Sequence, residues 1–353
     1  MTNHHHEEPF RPRVILWQLH AQHDPGNDSG TNANVGSTFT TPECLLTIDS
    51  IVRVARPIVV LTGDGLLQRQ DLHQILEYGT ALGLKMIVET RADEITGEVL
   101  KKYGSFGSRI FRVVVDGAIL EGSDSRFLDS PEYQALEQSI ELLRENKFEV
   151  HLTTTIRRLE IRELAFQLDY ALKKNIRGLY CHLCFDEKTI DAGSGGRESE
   201  NLSEFIGVIA RMKNFLPKEM YFSPQCIRYG FQPPPLESDR DHDRRAQWGH
   251  CCLAGRSFIV INHRGELQPC SNIALTAGSL RENGYDFRKM WERAPLMQEL
   301  RKEIRSCLQT NVAFGDGSRI RADVNGSETT RDEFLVADVQ GDEVGRENQQ
   351  LSA

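Results

Sequence analysis

The sequence lacks any apolar run approaching the roughly 18 residues that a bilayer-spanning helix needs, so no membrane partner is expected. Met1 to Phe10 is polar and acidic, without the apolar stretch of a secretory signal. Both absences make the cytoplasm the expected location. Basic charge is scarce as well: 42 Lys and Arg stand against 51 Asp and Glu, a net charge of −9. Nucleic acid is therefore not an expected partner, because phosphate binding needs a basic surface. No P-loop, His-Glu-x2-His, Ser-His-Asp arrangement or internal repeat is present. With 353 residues, 39% hydrophobic, the chain can still bury a large core.

Cysteine is plentiful. Eight cysteines in a chain without a secretion signal point to metal or redox chemistry more than to disulfides. Cys44 stands alone, Cys181 and Cys184 form a Cys-x2-Cys pair, and Cys226, Cys251, Cys252, Cys270 and Cys307 fall in the last third. The Cys-x2-Cys pair lies in an expected strand, where residues three apart face opposite sides. Cys181 and Cys184 are therefore read as core thiols, and His182 between them likewise.

Short apolar runs alternate with amphipathic segments from Arg13 to about Leu216. Strands are expected at Arg13–Leu19, Ile58–Gly63, Lys85–Thr90, Arg109–Gly117, Glu149–Ile156 and Gly178–Phe185. Runs such as Ile58-Val59-Val60-Leu61 suit parallel strands covered on both faces. Helical faces are expected at Leu72, Ile75, Leu76 and Gly79, at Tyr133, Leu136, Ile140 and Leu143, at Leu164, Leu168, Ala171 and Leu172, and at Leu202, Phe205, Ile206 and Ile209. Six β–α units with short connections imply an α/β fold, a partial or complete (β/α)6 TIM-like barrel rather than an open doubly wound sheet. Functional loops then belong at the carboxyl ends of the strands. The exception to the short connections is Gln22 to Thr41, whose composition of turn residues favours disorder.

A different region begins at Pro217. Pro233-Pro234-Pro235 interrupts it, a hairpin is expected from Ser257–Asn262 to Glu266–Cys270, and a helix from Phe287 to Arg305. The final stretch, Gln309 to Ala353, holds nine acids against four arginines and reads as a disordered acidic tail. The expected domains are thus a tail at 1–12, a barrel at 13–216, a small α+β module at 217–308 and the tail at 309–353.

Three segments resemble radical S-adenosylmethionine (SAM) proteins with a SPASM or twitch extension. Ile58-Val59-Val60-Leu61-Thr62-Gly63-Asp64-Gly65-Leu66-Leu67-Gln68-Arg69-Gln70-Asp71-Leu72 is similar to the family's strand-Gly-Gly-Glu-Pro-Leu-x-Arg-x-Asp-Leu segment. Val113-Val114-Val115-Asp116-Gly117 is similar to its fourth-strand Ser-Leu-Asp-Gly. Cys252, twelve residues, Gly265, four residues and Cys270 match the extension's Cys-x9–15-Gly-x4-Cys, with Pro269-Cys270-Ser271 and Met290-Trp291-Glu292 agreeing nearby. The resemblance covers about residues 13 to 307.

The departures fall on the chemistry. The family's first strand leads into a Cys-x3-Cys-x2-Cys loop that holds three irons of a [4Fe-4S] cluster, the fourth iron chelating SAM. Alignment on Trp17-Gln18-Leu19 places His23, Asn27 and Gly30 at those positions. Asn is a poor iron ligand and Gly has no side chain. Asp64-Gly65-Leu66 replaces Gly-Glu-Pro, so Gly63, Asp64, Gly65 and Asp116 are read as a vestigial SAM site.

The resemblance with these losses implies a pseudoenzyme relative of peptide- and tetrapyrrole-modifying enzymes, binding a peptide, a tetrapyrrole or an active radical SAM enzyme without SAM cleavage. Two alternatives stay open: a radical SAM enzyme with unusual ligation through His23, Cys44 and a partner's residue, or an iron–sulfur electron-transfer protein. Cys252, Cys270 and Cys307, with Cys251, Cys226 or His250 in the fourth place, are candidate metal ligands of an auxiliary [4Fe-4S] cluster, against a reading as buried thiols. Gly193-Ser194-Gly195-Gly196-Arg197 is a candidate anion loop. Asp116 suits an acid or base at the barrel mouth and equally an Asp-Gly turn cap.

Overall fold

The computed structural model describes residues 10–20, 39–103, 109–121, 129–156, 161–184, 221–228, 254–270 and 275–309. Side chains of Cys184, Cys226 and Cys307 are not among them. His23, Asn27, Gly30, the Gly193 loop, the Leu202 helix, Cys251, Cys252 and the acidic tail also lie outside the described residues.

All six expected strands are present: β1 (Val14–Gln18), β2 (Ile58–Thr62), β3 (Lys85–Arg91), β4 (Ile110–Asp116), β5 (Glu149–Ile156) and β6 (Gly178–Cys184). Each pairs in parallel with the next, as in Val14↔Ile58 and Ile58↔Lys85. Two further strands extend the sheet in parallel: β7 (Tyr221–Arg228) beyond β6, and β8 (Phe258–Ile261) beside β1, with Val14 opposite Phe258. A short β9 (Leu267–Gln268) returns antiparallel to β8. The order β7-β6-β5-β4-β3-β2-β1-β8-β9 runs through β1 to β7 without reversing. A doubly wound sheet would reverse direction at a switch point, so this winding is the barrel type.

Helices α1 (Thr41–Val52), α2 (Leu72–Ala81), α3 (Gly97–Tyr103), α4 (Pro131–Glu145) and α5 (Ile161–Lys173) follow β1, β2, β3, β4 and β5. They cover one face of the sheet. Trp17, Leu61, Val88, Val113, Leu152 and Cys181 from the strands join Ile48, Ile75, Leu136 and Leu168 from the helices in one buried cluster. Alternation then turns Leu16, Val60, Ile87, Arg112, His151 and Tyr180 to the opposite, inner face.

Local chemistry accounts for the helix boundaries. Thr40 caps α1 in a reciprocal box, its N–H donating to Glu43 Oε2 at 2.7 Å, and Pro42 lies in the first turn. Ser130 caps α4 by accepting from the Tyr133 N–H, with Pro131 opening the helix. Phe39, assigned by composition to the long loop, is buried instead, edge-on to Trp17 at 5.2 Å.

Two expectations are corrected. Leu172 does not share the buried face of α5; it is 44% exposed in the last turn. The helix expected from Phe287 to Arg305 is two helices, α6 (Phe287–Arg293) and α7 (Pro295–Gln309). Pro295 explains the break, because it forces Ala294 into an extended conformation, ψ 132°.

The C-terminal elements pack directly on the first strand and helix. The Trp291 indole donates to the Phe10 carbonyl at 3.0 Å, and Arg301 stacks over Trp291 while its Nε donates to the Gly255 carbonyl at 2.7 Å. Glu43 of α1 accepts from Arg281 at 2.7 Å and from Tyr285 at 2.6 Å. No helix among the described residues is long and apolar enough to cross a membrane.

Candidate functional site

The turn after β2 brings Gly63, Asp64 and Gly65 to the carboxyl end of the sheet. Gly63 has φ +135°, and a Cβ there would lie 2.7 Å from the His20 carbonyl oxygen, just past β1. Only glycine fits. The turn is held from both sides: His20 Nδ1 lies 3.0 Å from the Asp64 carbonyl, and the Gly65 N–H donates to Glu94 Oε1 at 3.0 Å. Glu94 is fixed in turn by the Thr90 hydroxyl at 2.6 Å. The close approach at Gly63 and the left-handed backbone at Gly65, φ +67°, account for both glycines without a ligand.

Asp116 ends β4 two strands away and is exposed. On its face of β4 stand Arg112 and Val114, at two-residue spacing. Val114 is 37% exposed, so the inner face is open to solvent at that level. One step deeper it closes over a polar group that the sequence reading missed: Glu89, Arg112, His151, Thr153 and Tyr180, all buried.

These side chains come from four adjacent strands in matching register. Arg112 lies opposite both Glu89 and His151, and Thr153 opposite Tyr180. The Arg112 guanidinium stacks on the Tyr180 ring, 3.6 Å from its centroid. Its Nη1 is 3.9 Å from Glu89 Oε2, an oxygen that also accepts from the Thr153 hydroxyl at 2.9 Å. His151 Nε2 meets Glu149 Oε1 at 2.7 Å, and its Nδ1 lies 3.4 Å from the Tyr180 hydroxyl. Gly178 makes room for the imidazole, since a Cβ there would lie 2.5 Å from His151 Cγ. Burial pushes the imidazole pKa down despite the Glu149 carboxylate. A signal for this group does exist in the sequence: Glu89 and Arg112 are charges inside strands otherwise apolar on both faces.

The residues expected at the three cluster positions, His23, Asn27 and Gly30, do not supply three thiolates. Asn27 and Gly30 offer no soft ligand. Cys44 is fully buried on the core side of α1, where burial pushes its thiol up to about 12. Among the described residues no group of three or more His, Cys, Asp or Glu is placed to hold a metal ion. Of the C-terminal candidates, Cys270 is buried just after β9, remote in the sheet order from β4, and Cys307 falls near the end of α7. Cys181 is buried beside Thr154, with its thiol pushed up to about 12 by burial, as a core thiol should be.

No family profile matches the chain. It is 27% identical over 307 residues to the AdoMet-dependent heme synthase of Methanosarcina barkeri, covering 82% of this chain and 85% of that one. It is 25% identical over 274 residues to the enzyme of the same name from Oleidesulfovibrio alaskensis, covering 74% and 69%. Among solved structures, Streptococcus suis SuiB bound to precursor peptide SuiA superposes with a TM-score of 0.55 at 11% identity, over 83% of this chain and 67% of that one. Native anSMEcpe with bound AdoMet gives 0.51 at 13% identity, over 82% of each chain. At these identities the two structures speak for the fold alone.

Proposed function

We propose that this chain, a radical SAM superfamily protein, binds a tetrapyrrole at its barrel mouth without cleaving SAM. One contrast carries the reading: sequence similarity runs along 85% of a heme synthase's length, yet Asn27 and Gly30 align with positions where the family has cluster cysteines. A barrel with no iron to chelate SAM has no route to a radical, but it keeps an open mouth for a ligand. The heme synthase relatives support the tetrapyrrole as substrate class. Gly63, Asp64, Gly65 and Asp116 then shape the rim of the mouth. An active radical SAM enzyme would supply the chemistry, with this protein as its cytoplasmic partner in a maturation pathway.

Residues 217–308 are proposed as a SPASM or twitch-like module that braces the barrel through β8, α6 and α7. The test of the main reading is an absorption titration of a porphyrin with purified protein. A saturable shift of the Soret band is expected, and a flat titration would sink it. The Cys252-x12-Gly265-x4-Cys270 spacing favours a second reading, an auxiliary [4Fe-4S] cluster with a redox role. Iron and sulfide that disappear in Cys252→Ala would support it.

A further inference from the structure

We infer that the guanidinium of Arg112, at the floor of the open mouth, receives the carboxylate of a bound small molecule. Arg112 is 3% exposed, and its Nε donates to nothing among the described residues. Its one ionic partner among the described residues, Glu89, sits at 3.9 Å and shares the facing oxygen with Thr153. A buried guanidinium with five donors and so distant an anion is under-compensated. Neighbouring residues fix its plane without using its donors: the Tyr180 ring lies flat against it, steadied by the contact between the Tyr180 hydroxyl and His151.

The approach is open. Val114, two residues nearer the mouth on the same face, is 37% exposed, and Asp116 beyond it is exposed too. A ligand entering there meets Val114 and then the guanidinium. Charge selects the ligand's class. With Glu89 beside Arg112, and Asp116 and Glu94 around the rim, a doubly charged phosphate is disfavoured, whereas a planar monoanion matches the guanidinium fork. Two sources carry such a group: the propionate of a tetrapyrrole, which rests on the function proposed above, and the amino-acid end of SAM, which does not.

Binding of protoporphyrin IX, its dimethyl ester and SAM would be measured on wild type, Arg112→Gln, Arg112→Lys and Glu89→Gln, each checked for folding by circular dichroism. Arg112→Gln should weaken one of the two acids at least tenfold and leave the ester unchanged. Arg112→Lys should recover only part, since it keeps the charge and loses the fork. Glu89→Gln should tighten the same ligand, because it removes the internal competitor. A purely structural ion pair predicts instead that all the variants lose stability and none changes affinity, and that result overturns the inference. Loss confined to the porphyrin assigns the carboxylate to the tetrapyrrole; loss confined to SAM assigns it to SAM. If wild type binds SAM and no porphyrin, the proposed function fails, and Arg112 is judged on SAM alone. A wild type that binds neither overturns the inference as well.

Discussion

Glu43 ties α1 to the C-terminal segment and gives the most quantitative prediction. Its carboxylate accepts from Arg281, from Tyr285 and from both the N–H and the hydroxyl of Thr40. Partial burial opposes ionisation, but these hydrogen bonds outweigh it and hold the carboxyl at about 2, against an ordinary 4.5. At about 1.4 kcal/mol per pH unit, that difference is worth ~3 kcal/mol. The side chain keeps 19% of its surface in water, so screening reduces the expectation to about 1.5–2 kcal/mol. Because the folded-state pKa is depressed, the stabilisation is complete above about pH 4.5 and fades as pH falls toward 2. Urea unfolding of wild type and Glu43→Gln should therefore differ by that amount at pH 7, and the gap should narrow steadily below pH 4.5. Adding Arg281→Met to each background isolates the pair, and a coupling of about 1 kcal/mol is expected at neutral pH. A Gln variant as stable as wild type at pH 7, or a gap unchanged at pH 3, would refute the reasoning.

Gly63→Ala combines a φ of +135° with a 2.7 Å approach to the His20 carbonyl, so it should destabilise by about 2–4 kcal/mol in urea unfolding. A neutral result would show that the turn is free to move. Cys44 and Cys181, both fully buried with thiols raised to about 12, should stay unmodified by iodoacetamide in the native protein at pH 8 and react once it is unfolded. Peptide mass mapping reads both. Leu136→Ala, on the fully buried face of α4, should cost about 2–5 kcal/mol, whereas Leu172→Ala on exposed α5 surface should stay within about 0.5 kcal/mol. Equal effects from the two would contradict the packing described.

The barrel was legible because its strands are short, apolar on both faces and separated by helical periods; Ile58–Leu61 and Leu72–Gly79 carry that signal unaided. Leu172 misled because each i, i+4 step from Leu164 through Leu168 also turns about 40° around the helix, which carries it off the buried stripe of Glu163, Leu164, Gln167, Leu168 and Ala171. Pro295 was visible, yet the apolar pattern on either side of it runs in phase, so two helices read as one. The polar floor was hidden by its distribution: Glu89, Arg112, His151 and Tyr180 are one residue each on four strands, and only the register brings them together. The Glu43–Arg281 contact joins residues 238 apart, a separation that no local pattern encodes. The departure from the Cys-x3-Cys-x2-Cys pattern was read from sequence alone, since Asn27 and Gly30, aligned with two of its positions, carry no soft donor.

The most direct measurement is 5′-deoxyadenosine formation by anaerobically reconstituted protein given SAM, a strong reductant and a porphyrin substrate, read by mass spectrometry. The account predicts none above a protein-free control, alongside saturable porphyrin binding in the same preparation. More than one equivalent of 5′-deoxyadenosine per chain would contradict it and restore the protein to the radical-forming enzymes.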